Sequence, residues 1–489
     1  MDGLSHPSVD SSVSTEFASQ LDQTEISANP APAAAAPNRL QFWEAEHTRP
    51  EFEQGGEENS DLINVANSYL EKCMAHPYLP VEEIRAQQFA RIKELVKMAY
   101  REIPVYRNKY KKAGFRPSHL KTYDDIQKIP VITKPELVAA FPDQCVNRKF
   151  KSDSLFPTRS SGSSGQTLLI RVDYDAILTD TIQGVRQFAM QSGNDYKEND
   201  LLAHVYTVPW WYDSIGGKYP TAFISNLIPP ARVAQHLRYL APRTLSLYPS
   251  SLDGLMPHVD EFKSTLNVVV THSEYSSKAQ RQEWSRQLGV PVLDEYSSEE
   301  ATRIALEMPD GHYYVCEDTV HLDVLDPVTM EPQVAGQSGI AVITNLLNEA
   351  MPFIRYVQGD YITLPVTPAP SEINWSQIAS IDGRLNDAFI NKEDRKVPAG
   401  SILDATYRWM FDCDLHLVQF EIVQTGVDQV EARVVLGAAT SADKLHGSIP
   451  HLEDLLSICL EDKVRVKEVV LEAFPPKVGK RRPIRREMA

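Results

Sequence analysis

The sequence predicts an α/β protein with a large N-terminal domain and a small C-terminal α+β domain. In the middle of the chain, short apolar runs such as TLNVVVTH and VPVLDEY alternate with segments of helix length, for example residues 277–288. Such alternation is typical of layered α/β folds rather than of all-α or all-β proteins. After Gly383 the order changes to strand-like FEIVQTGVDQVEARVVLG, helix-like PHLEDLLSICLED and strand-like VRVKEVVLEAF. These elements are enough for a second domain of about a hundred residues.

Residues 1–60 are predicted to be a mostly disordered leader. They contain the tract NPAPAAAAPN and the acidic EFEQGGEENSD, with too little apolar periodicity to offset the entropy of ordering. From Val81 to Tyr100 apolar residues recur every three or four positions, which predicts an amphipathic helix. Pro104 should end this helix, because proline cannot continue its hydrogen bonds, and a second helix is expected to follow.

Composition excludes several classes of protein. The 489 residues carry a formal net charge of -17, which argues against a nucleic-acid partner because phosphate binding needs a basic face. No run of eighteen apolar residues occurs and the N-terminus lacks the basic-then-apolar order of a secretory signal, so no membrane association is expected and the protein is predicted to be cytoplasmic. The five cysteines form no CxxC pair and are expected to be reduced thiols.

A loop of small residues, SSGSSGQT, occupies residues 160–167. Serine and glycine runs are common in flexible linkers, which is one interpretation. The alternating apolar run LLIRVD follows at once and favours a loop between strands inside a domain. In such a loop, backbone N–H groups and serine hydroxyls can approach an anion closely, as in phosphate-binding loops. No GK[ST] follows, so the loop is not a Walker A motif.

Further stretches follow the loop in the order found in one enzyme family. They are HSEY, DEYSSEEA, NEAMPFIRYVQGD, IDGRLNDAFI and PPKVGKRRPIRRE. Together with the loop they resemble the ordered motifs of adenylate-forming enzymes, and most closely those of the phenylacetate-CoA ligase family. The resemblance runs from about residue 80 to residue 489. It implies the adenylate-forming fold, with an N-terminal ATP- and acid-binding domain at residues 61–385 and a small mobile C-terminal lid domain at residues 386–489.

The resemblance also implies roles for individual residues. The implied ATP-binding residues are Ser160, Ser161, Gly162, Ser163, Ser164, Gly165, Gln166, Thr167, Ser273, Glu274, Tyr296, Asp360 and Arg384. Among them, Tyr296 offers a flat face for adenine, and Asp360 would bind the ribose hydroxyls. Lys480 matches the lysine that reaches the phosphate during adenylation. Glu300 matches the magnesium ligand.

These residue types suit the implied chemistry. Joining a carboxylate to the α-phosphate of ATP crowds negative charge at one phosphorus, so an ammonium group, Mg²⁺ and backbone donors should converge there. The carboxylate of Asp360 can accept hydrogen bonds from both ribose hydroxyls. Other interpretations stay open for each residue: Asp360 as a turn residue, Arg384 as a surface ion-pair partner, and KVGKRRPIRR as a solvated basic tail or localisation signal.

The acid-binding pocket is expected to follow the LLAHVY run. Residues at the position where the family builds this pocket are Trp210, Trp211, Tyr212, Gly216 and Gly217. The three aromatic side chains would form a wall for a planar acid, which favours an aromatic substrate. Packing of the same aromatics in a core is the alternative.

The chain departs from the family pattern at four places. Gln166 stands where the phosphate loop usually has lysine, and Asn386 stands at the hinge. Glu299 adds a second carboxylate beside Glu300, which leaves the magnesium ligand ambiguous, although the spacing from Asp294 favours Glu300. Residues 392–398, KEDRKVP, replace a glycine-containing loop that lines the thiol acceptor's tunnel in the family, so transfer to coenzyme A is a weaker expectation than adenylation.

The sequence therefore predicts an ATP- and Mg²⁺-dependent ligase. It would convert a small carboxylic acid to an acyl-adenylate, release pyrophosphate and pass the acyl group to the thiol of coenzyme A. One alternative is delivery of the acyl group to an amine, a hydroxyl or a carrier-protein thiol. The other is a nucleotide-binding scaffold with impaired catalysis.

Overall fold

The computed structural model describes residues 60–160, 168–206, 214–226, 228–384, 387–397, 399–415, 417–437, 440–474 and 483–488. The helices of these residues are α1 Ser60–Ala75, α2 Val81–Glu102, α3 Pro104–Lys112, α4 Lys134–Ala140, α5 Tyr174–Gln191, α6 Pro230–Leu240, α7 Pro249–Leu255, α8 Lys278–Leu288, α9 Ala399–Asp412 and α10 Ala442–Leu460. Apart from Ser60, the predicted leader lies outside the described residues.

The strands of the described residues include β1 to β14 before the predicted domain boundary and β15 to β20 after it. They are β1 Phe156–Arg159, β2 Leu169–Val172, β3 Leu202–Tyr206, β4 Thr221–Ser225, β5 Thr244–Leu247, β6 Val268–His272, β7 Val292–Ser298, β8 Thr302–Glu307, β9 Tyr313–Val315, β10 Val320–Leu325, β11 Ser338–Asn345, β12 Tyr356–Thr363, β13 Gln377–Ile378, β14 Ser380–Arg384, β15 Phe389–Ile390, β16 Lys396–Val397, β17 Leu417–Gly426, β18 Gln429–Leu436, β19 Arg465–Val470 and β20 Ile484–Arg486.

The predicted N-terminal helices are confirmed. Helix α2 ends at Glu102, and Pro104 opens α3 in the first turn, where its missing N–H costs nothing. Ile84, Ile92 and Leu95 of α2 are buried at intervals that place them on one face. They pack in the largest core, which the N-terminal helices share with side chains of the two main sheets.

The central sheet has the strand order β13-β9-β8-β7-β6-β5-β3-β4. Strands β3 to β7 pair in parallel, and β8, β9 and β13 extend the sheet in antiparallel pairs. A second, antiparallel sheet has the order β10-β11-β12-β14. The predicted α/β architecture is confirmed. In open sheets of this kind, ligands bind outside the carboxyl ends of the parallel strands, which here are β3 to β7.

The C-terminal part forms its own core around the sheet β19-β18-β17-β20. The helix-like stretch PHLEDLLSICLED lies in α10 up to Leu460, but α10 begins eight residues before Pro450, and the Ser441 side chain accepts a hydrogen bond from Lys444 N at its start. Leu445 and Leu452 are both fully buried on either side of the proline. Burial of this continuous apolar face offsets the hydrogen bond that proline cannot donate. The predicted domain boundary at residues 385–386 lies outside the described residues and stays a prediction.

Two further sequence expectations concern the whole chain. The five cysteines are free thiols, three of them buried. In the part of the chain that the structure describes, no helix is both long and apolar enough to cross a membrane.

Candidate active site

The serine-rich loop is closed at its base. Strands β1 and β2 form an antiparallel hairpin in which Arg159 pairs with Leu169. Just beyond this pair, Ser160 N donates to Leu168 O at 3.0 Å, and Leu168 N donates to the Ser160 hydroxyl at 3.0 Å. Both ends of the loop are therefore joined inside a domain, so the linker interpretation is wrong. Residues 161–167, with their predicted phosphate contacts, lie outside the described residues.

Asp173 anchors this hairpin to the segment that leads into β12. One carboxylate oxygen accepts from Ala176 N at 2.9 Å and caps α5, while the other accepts from Glu349 N at 2.8 Å and Ala350 N at 3.1 Å. Sequence reasoning missed this residue. An aspartate between a strand and a helix is a helix-start signal, so its capping role was readable, but its second set of partners was not.

Tyr296 and Asp360 meet in the interior between the two main sheets. The Tyr296 hydroxyl donates to Asp360 Oδ2 at 2.9 Å, and both residues are buried. Asp360 lies within β12 and is paired in register with Arg384 of β14. The turn interpretation of Asp360 is therefore wrong. The structure brings together three residues that the resemblance implies for the nucleotide, although their roles stay predictions.

The two adjacent glutamates have different partners. The buried Glu300 carboxylate accepts from the Tyr356 hydroxyl at 3.0 Å, whereas Glu299 accepts from the Thr158 hydroxyl at 2.8 Å. Thr158 lies on β1, two residues before Ser160, so the Glu299 side chain reaches the base of the serine-rich loop. No sequence pattern identified Thr158 as the partner of Glu299 or Tyr356 as the partner of Glu300.

A magnesium ion beside Glu299 and Glu300 would have few protein ligands. Among the described residues, no group of three or more His, Cys, Asp or Glu side chains is arranged to hold a metal. Mg²⁺ commonly keeps waters and is bound by one or two carboxylates together with substrate phosphates. The Glu299 and Glu300 carboxylates fit that requirement, and the choice between them stays open.

Ser273 and Glu274 follow β6 at its carboxyl end. Ser273 adopts the left-handed conformation with φ of 69°, and its hydroxyl lies 3.0 Å from His272 Nδ1. The Glu274 carboxylate accepts from Ser250 N at 3.0 Å and so points to the first turn of α7. This contact gives Glu274 a structural role. The packing of Glu274 against adenine stays a prediction.

The predicted acid pocket is described only in part. Trp210, Trp211 and Tyr212 lie outside the described residues. Gly216 and Gly217 form a tight turn with φ of 54° and 86°, conformations that glycine adopts without strain. Their part in binding an acid stays a prediction.

Sequence reasoning missed a cluster of polar aromatic rings at the strand ends. It consists of His204, Tyr206, Tyr248 and His272 from β3, the end of β5 and β6. The two imidazole rings stack with centroids 5.5 Å apart, and the rings of Tyr206 and Tyr248 are 4.8 Å apart. The only signal was positional, because all four residues end short apolar runs that the sheet topology brings side by side.

The predicted site residues near the C-terminus lie partly inside and partly outside the described residues. Lys480 and Asn386 lie outside the described residues, as does the side chain of Arg384. The post-hinge segment forms a tight turn between β15 and β16, in which Asn391 Oδ1 accepts from Glu393 N at 3.1 Å and Arg395 N at 2.8 Å. The Glu393 side chain is exposed on this turn, and its predicted effect on a thiol tunnel is not tested.

Comparison with known proteins supports the resemblance. No protein-family model matches the chain. A phenylacetate-coenzyme A ligase from Escherichia coli is 26% identical over 327 residues, which cover 63% of this chain and 73% of the relative. A phenylacetate-coenzyme A ligase from Thermus thermophilus is 25% identical and covers 64% of this chain and 73% of the relative.

Solved structures give the same picture at the level of the fold. 2-Hydroxyisobutyryl-CoA ligase in its postadenylation state, in complex with 2-HIB-AMP, superposes with a TM-score of 0.71 at 20% identity and covers 85% of this chain and 91% of its own. The same ligase in complex with 2-HIB-AMP and CoA in its thioesterification state gives a TM-score of 0.57 over 85% of this chain and 92% of its own. The predicted adenylate-forming fold is therefore confirmed.

Proposed function

From the adenylate-forming fold and the similarity to phenylacetate-CoA ligases, we propose that this chain is an AMP-forming acid–thiol ligase. It activates a small carboxylic acid with ATP and transfers the acyl group to coenzyme A. The observation that carries the proposal is the buried hydrogen bond between Tyr296 and Asp360. This hydrogen bond joins a tyrosine ring of β7 to a carboxylate of β12, and an aromatic ring and a carboxylate are groups that suit adenine and ribose.

The proposed reaction has two steps, adenylation of the acid and transfer of the acyl group to the thiol. A carboxylate oxygen of the acid attacks the α-phosphorus of ATP, the bond to the β-phosphate oxygen breaks, and pyrophosphate leaves as the acyl-adenylate forms. The thiol of coenzyme A then gives its proton to water and attacks the acyl carbonyl carbon, and AMP leaves as the bond between that carbon and the phosphate oxygen breaks. In the first step we assign Lys480 to the negative charge that accumulates at the α-phosphorus, and Glu300 would hold a magnesium ion that would neutralise part of the same charge.

The first step is tested by isotope exchange. The protein should catalyse exchange of labelled pyrophosphate into ATP only when a suitable acid is present, because exchange requires reversible formation of the acyl-adenylate. A panel of aromatic and aliphatic acids should be assayed with magnesium present. Absence of exchange with every acid, alongside measurable ATP binding by calorimetry, would instead support the nucleotide-binding scaffold.

The second step is tested by product analysis. With ATP, a competent acid and coenzyme A, mass spectrometry should detect the acyl-CoA thioester and AMP. Adenylate that accumulates with coenzyme A present, but disappears when an amine or hydroxyl acceptor is added, would favour the alternative acceptors. The names of the similar proteins supply coenzyme A as the acceptor and offer no support for a carrier protein.

Removing the Tyr296 hydroxyl is expected to weaken ATP binding selectively. Tyr296→Phe keeps the ring but leaves the buried Asp360 carboxylate without one hydrogen-bond donor, and hydrogen bonds to charged groups contribute roughly 1.5–3 kcal/mol. The KM for ATP in the exchange assay should rise about tenfold, while kcat changes less. Tyr361→Phe, a buried neighbour of Asp360 on β12, is the matched control. Equal effects of both variants would contradict the role of the Tyr296–Asp360 pair.

A further inference from the structure

Glu300 is a buried carboxylate with a single side-chain hydrogen bond. Only 7% of its surface is exposed, and its Oε1 accepts from the Tyr356 hydroxyl at 3.0 Å. Among the residues that the structure describes, none forms an ion pair with Glu300 and none donates to its second oxygen, Oε2. A buried carboxylate is costly without a counter-charge, because no ion pair offsets its desolvation. The Glu300 carboxylate therefore suits a cation as its partner.

Tyr356, the donor to Glu300, is itself held firmly in the core. It is the first residue of β12, lies opposite Ile343 of β11 and has 1% of its surface exposed. Its ring packs edge-on against Phe353, with centroids 5.1 Å apart. Because this packing restricts the ring, the hydroxyl presents a fixed donor to Oε1 of Glu300. The hydrogen bond thus favours one orientation of the carboxylate and leaves Oε2 free of protein donors among the described residues.

The main chain of Glu300 is held from the same sheet. Asn345, the buried last residue of β11, donates from Nδ2 to Glu300 O at 3.0 Å. The Asn345 side chain is fixed in turn, since its Oδ1 accepts from Leu347 N at 2.8 Å. Glu300 is therefore fixed at its carbonyl by β11 and at its carboxylate by β12.

Strand β12 makes a second contact of this kind. Its Asp360 carboxylate accepts from the Tyr296 hydroxyl of β7 at 2.9 Å. Two hydrogen bonds therefore join β12 to β7 and to the turn that follows β7, one at the residue assigned to ribose and one at Glu300. Through Tyr356, the orientation of the Glu300 carboxylate depends on the strand that also carries Asp360.

We propose that Tyr356 is a positioning residue for the magnesium ligand, and that its hydroxyl holds the Glu300 carboxylate so that the second oxygen stays available to Mg²⁺. The proposal rests on the proposed ligase function, which supplies ATP with its magnesium. Carboxylates that bind metals are commonly hydrogen-bonded by neighbouring groups, and loss of such a group typically lowers metal affinity or activity about ten- to a hundredfold. Tyr356 acts through Glu300 and is not assigned a contact with either substrate.

The positioning role is tested by metal binding without turnover. Mn²⁺ serves as a paramagnetic probe, and electron paramagnetic resonance measures its affinity for protein in excess over an ATP analogue with a methylene group between the α- and β-phosphates. Tyr356→Phe keeps the ring and removes only the donor, so the Mn²⁺ affinity should fall about tenfold. Glu300→Gln should lower it at least as much. Adding Tyr356→Phe to Glu300→Gln should cause little further loss, because two residues that act as a unit are not additive.

Tyr106→Phe is the matched control for the loss of a buried hydroxyl. Tyr106 lies in the same core as Tyr356, and its hydroxyl donates to Pro352 O at 2.7 Å instead of to Glu300. This variant should keep the Mn²⁺ affinity of the unmodified protein. Equal losses in Tyr106→Phe and Tyr356→Phe would overturn the proposal, because the effect would then come from core packing.

The remaining outcomes separate the positioning role from the ligase function. Unchanged Mn²⁺ affinity in Tyr356→Phe, with a loss in Glu300→Gln, would overturn the positioning role and leave the ligase function intact. Unchanged affinity in Glu300→Gln would overturn it as well, since Tyr356 would then have no metal ligand to position. The expected Mn²⁺ results combined with no pyrophosphate exchange for any acid would support the positioning role and overturn the ligase function.

Discussion

Replacement of Lys480 by alanine is expected to reduce acid-dependent pyrophosphate exchange by at least about a hundredfold, because loss of one preorganised charge-stabilising donor typically costs two to three orders of magnitude. The carboxylate of the acid and the α-phosphate repel each other as they approach. An ammonium group at this point lowers the barrier most in the transition state, where the negative charge is most crowded. The effect should therefore appear in kcat more than in the KM for either substrate.

The control for Lys480 is a second lysine of the same basic segment. Lys477→Ala removes the same charge three positions away and is expected to change exchange by less than about threefold, because a charge that does not contact the reacting phosphate acts only through screened electrostatics. If both substitutions act equally, the assignment of Lys480 is wrong; the end of this segment is not a solvated tail, because Ile484–Arg486 pairs with β17 as β20. Binding of ATP by calorimetry should be retained in both variants, which shows that the nucleotide domain is folded.

Replacement of Glu300 by glutamine is expected to lower exchange about a hundredfold and to raise the magnesium concentration needed for half-maximal rate. Glutamine keeps the size of the side chain and can still accept from the Tyr356 hydroxyl, but it cannot supply the charge that Mg²⁺ prefers in its ligands. The loss should be partly recovered at high magnesium concentration. Exchange measured across a magnesium titration gives both quantities.

Glu299→Gln is the matched comparison, since it removes a carboxylate one position away. The Glu299 side chain accepts from Thr158 at 2.8 Å, which assigns it first to holding the base of the serine-rich loop. We expect a loss of less than about tenfold, because a hydrogen bond of this kind contributes roughly 1 kcal/mol, and we expect no change in magnesium dependence. If Glu299→Gln instead causes the larger loss of exchange and changes the magnesium dependence, Glu299 is the magnesium ligand.

Local elements were predictable because their signals are short in range. The break between α2 and α3 follows from the geometry of Pro104. The alternation of apolar runs with helical segments identified the α/β class, since each strand and helix buries its own face. The eight residues of α10 that precede Pro450 were not predicted as helical, because proline is a local signal and the burial of Leu445 and Leu452 on either side of it is a tertiary one.

The candidate site was predictable as a set of residues but not as a set of contacts. The resemblance named Tyr296, Asp360 and Glu300 without indicating that Tyr296 donates to Asp360 or that Tyr356 donates to Glu300. These partners are 64 and 56 residues apart in the chain. Such pairs depend on how the two main sheets pack against each other, because β7 with the segment after it and β12 lie in different sheets.

By itself, the sequence determined the fold class, the order of the family motifs and the residue types available for an ATP site. Only the tertiary structure decided which carboxylate reaches the serine-rich loop, showed that Asp360 is a strand residue rather than a turn residue, and brought the rings of His204, Tyr206, Tyr248 and His272 together. The physical reason is that periodicity and capping act over a few residues, whereas a site is made where strand ends distant in sequence become neighbours through the order of the sheet.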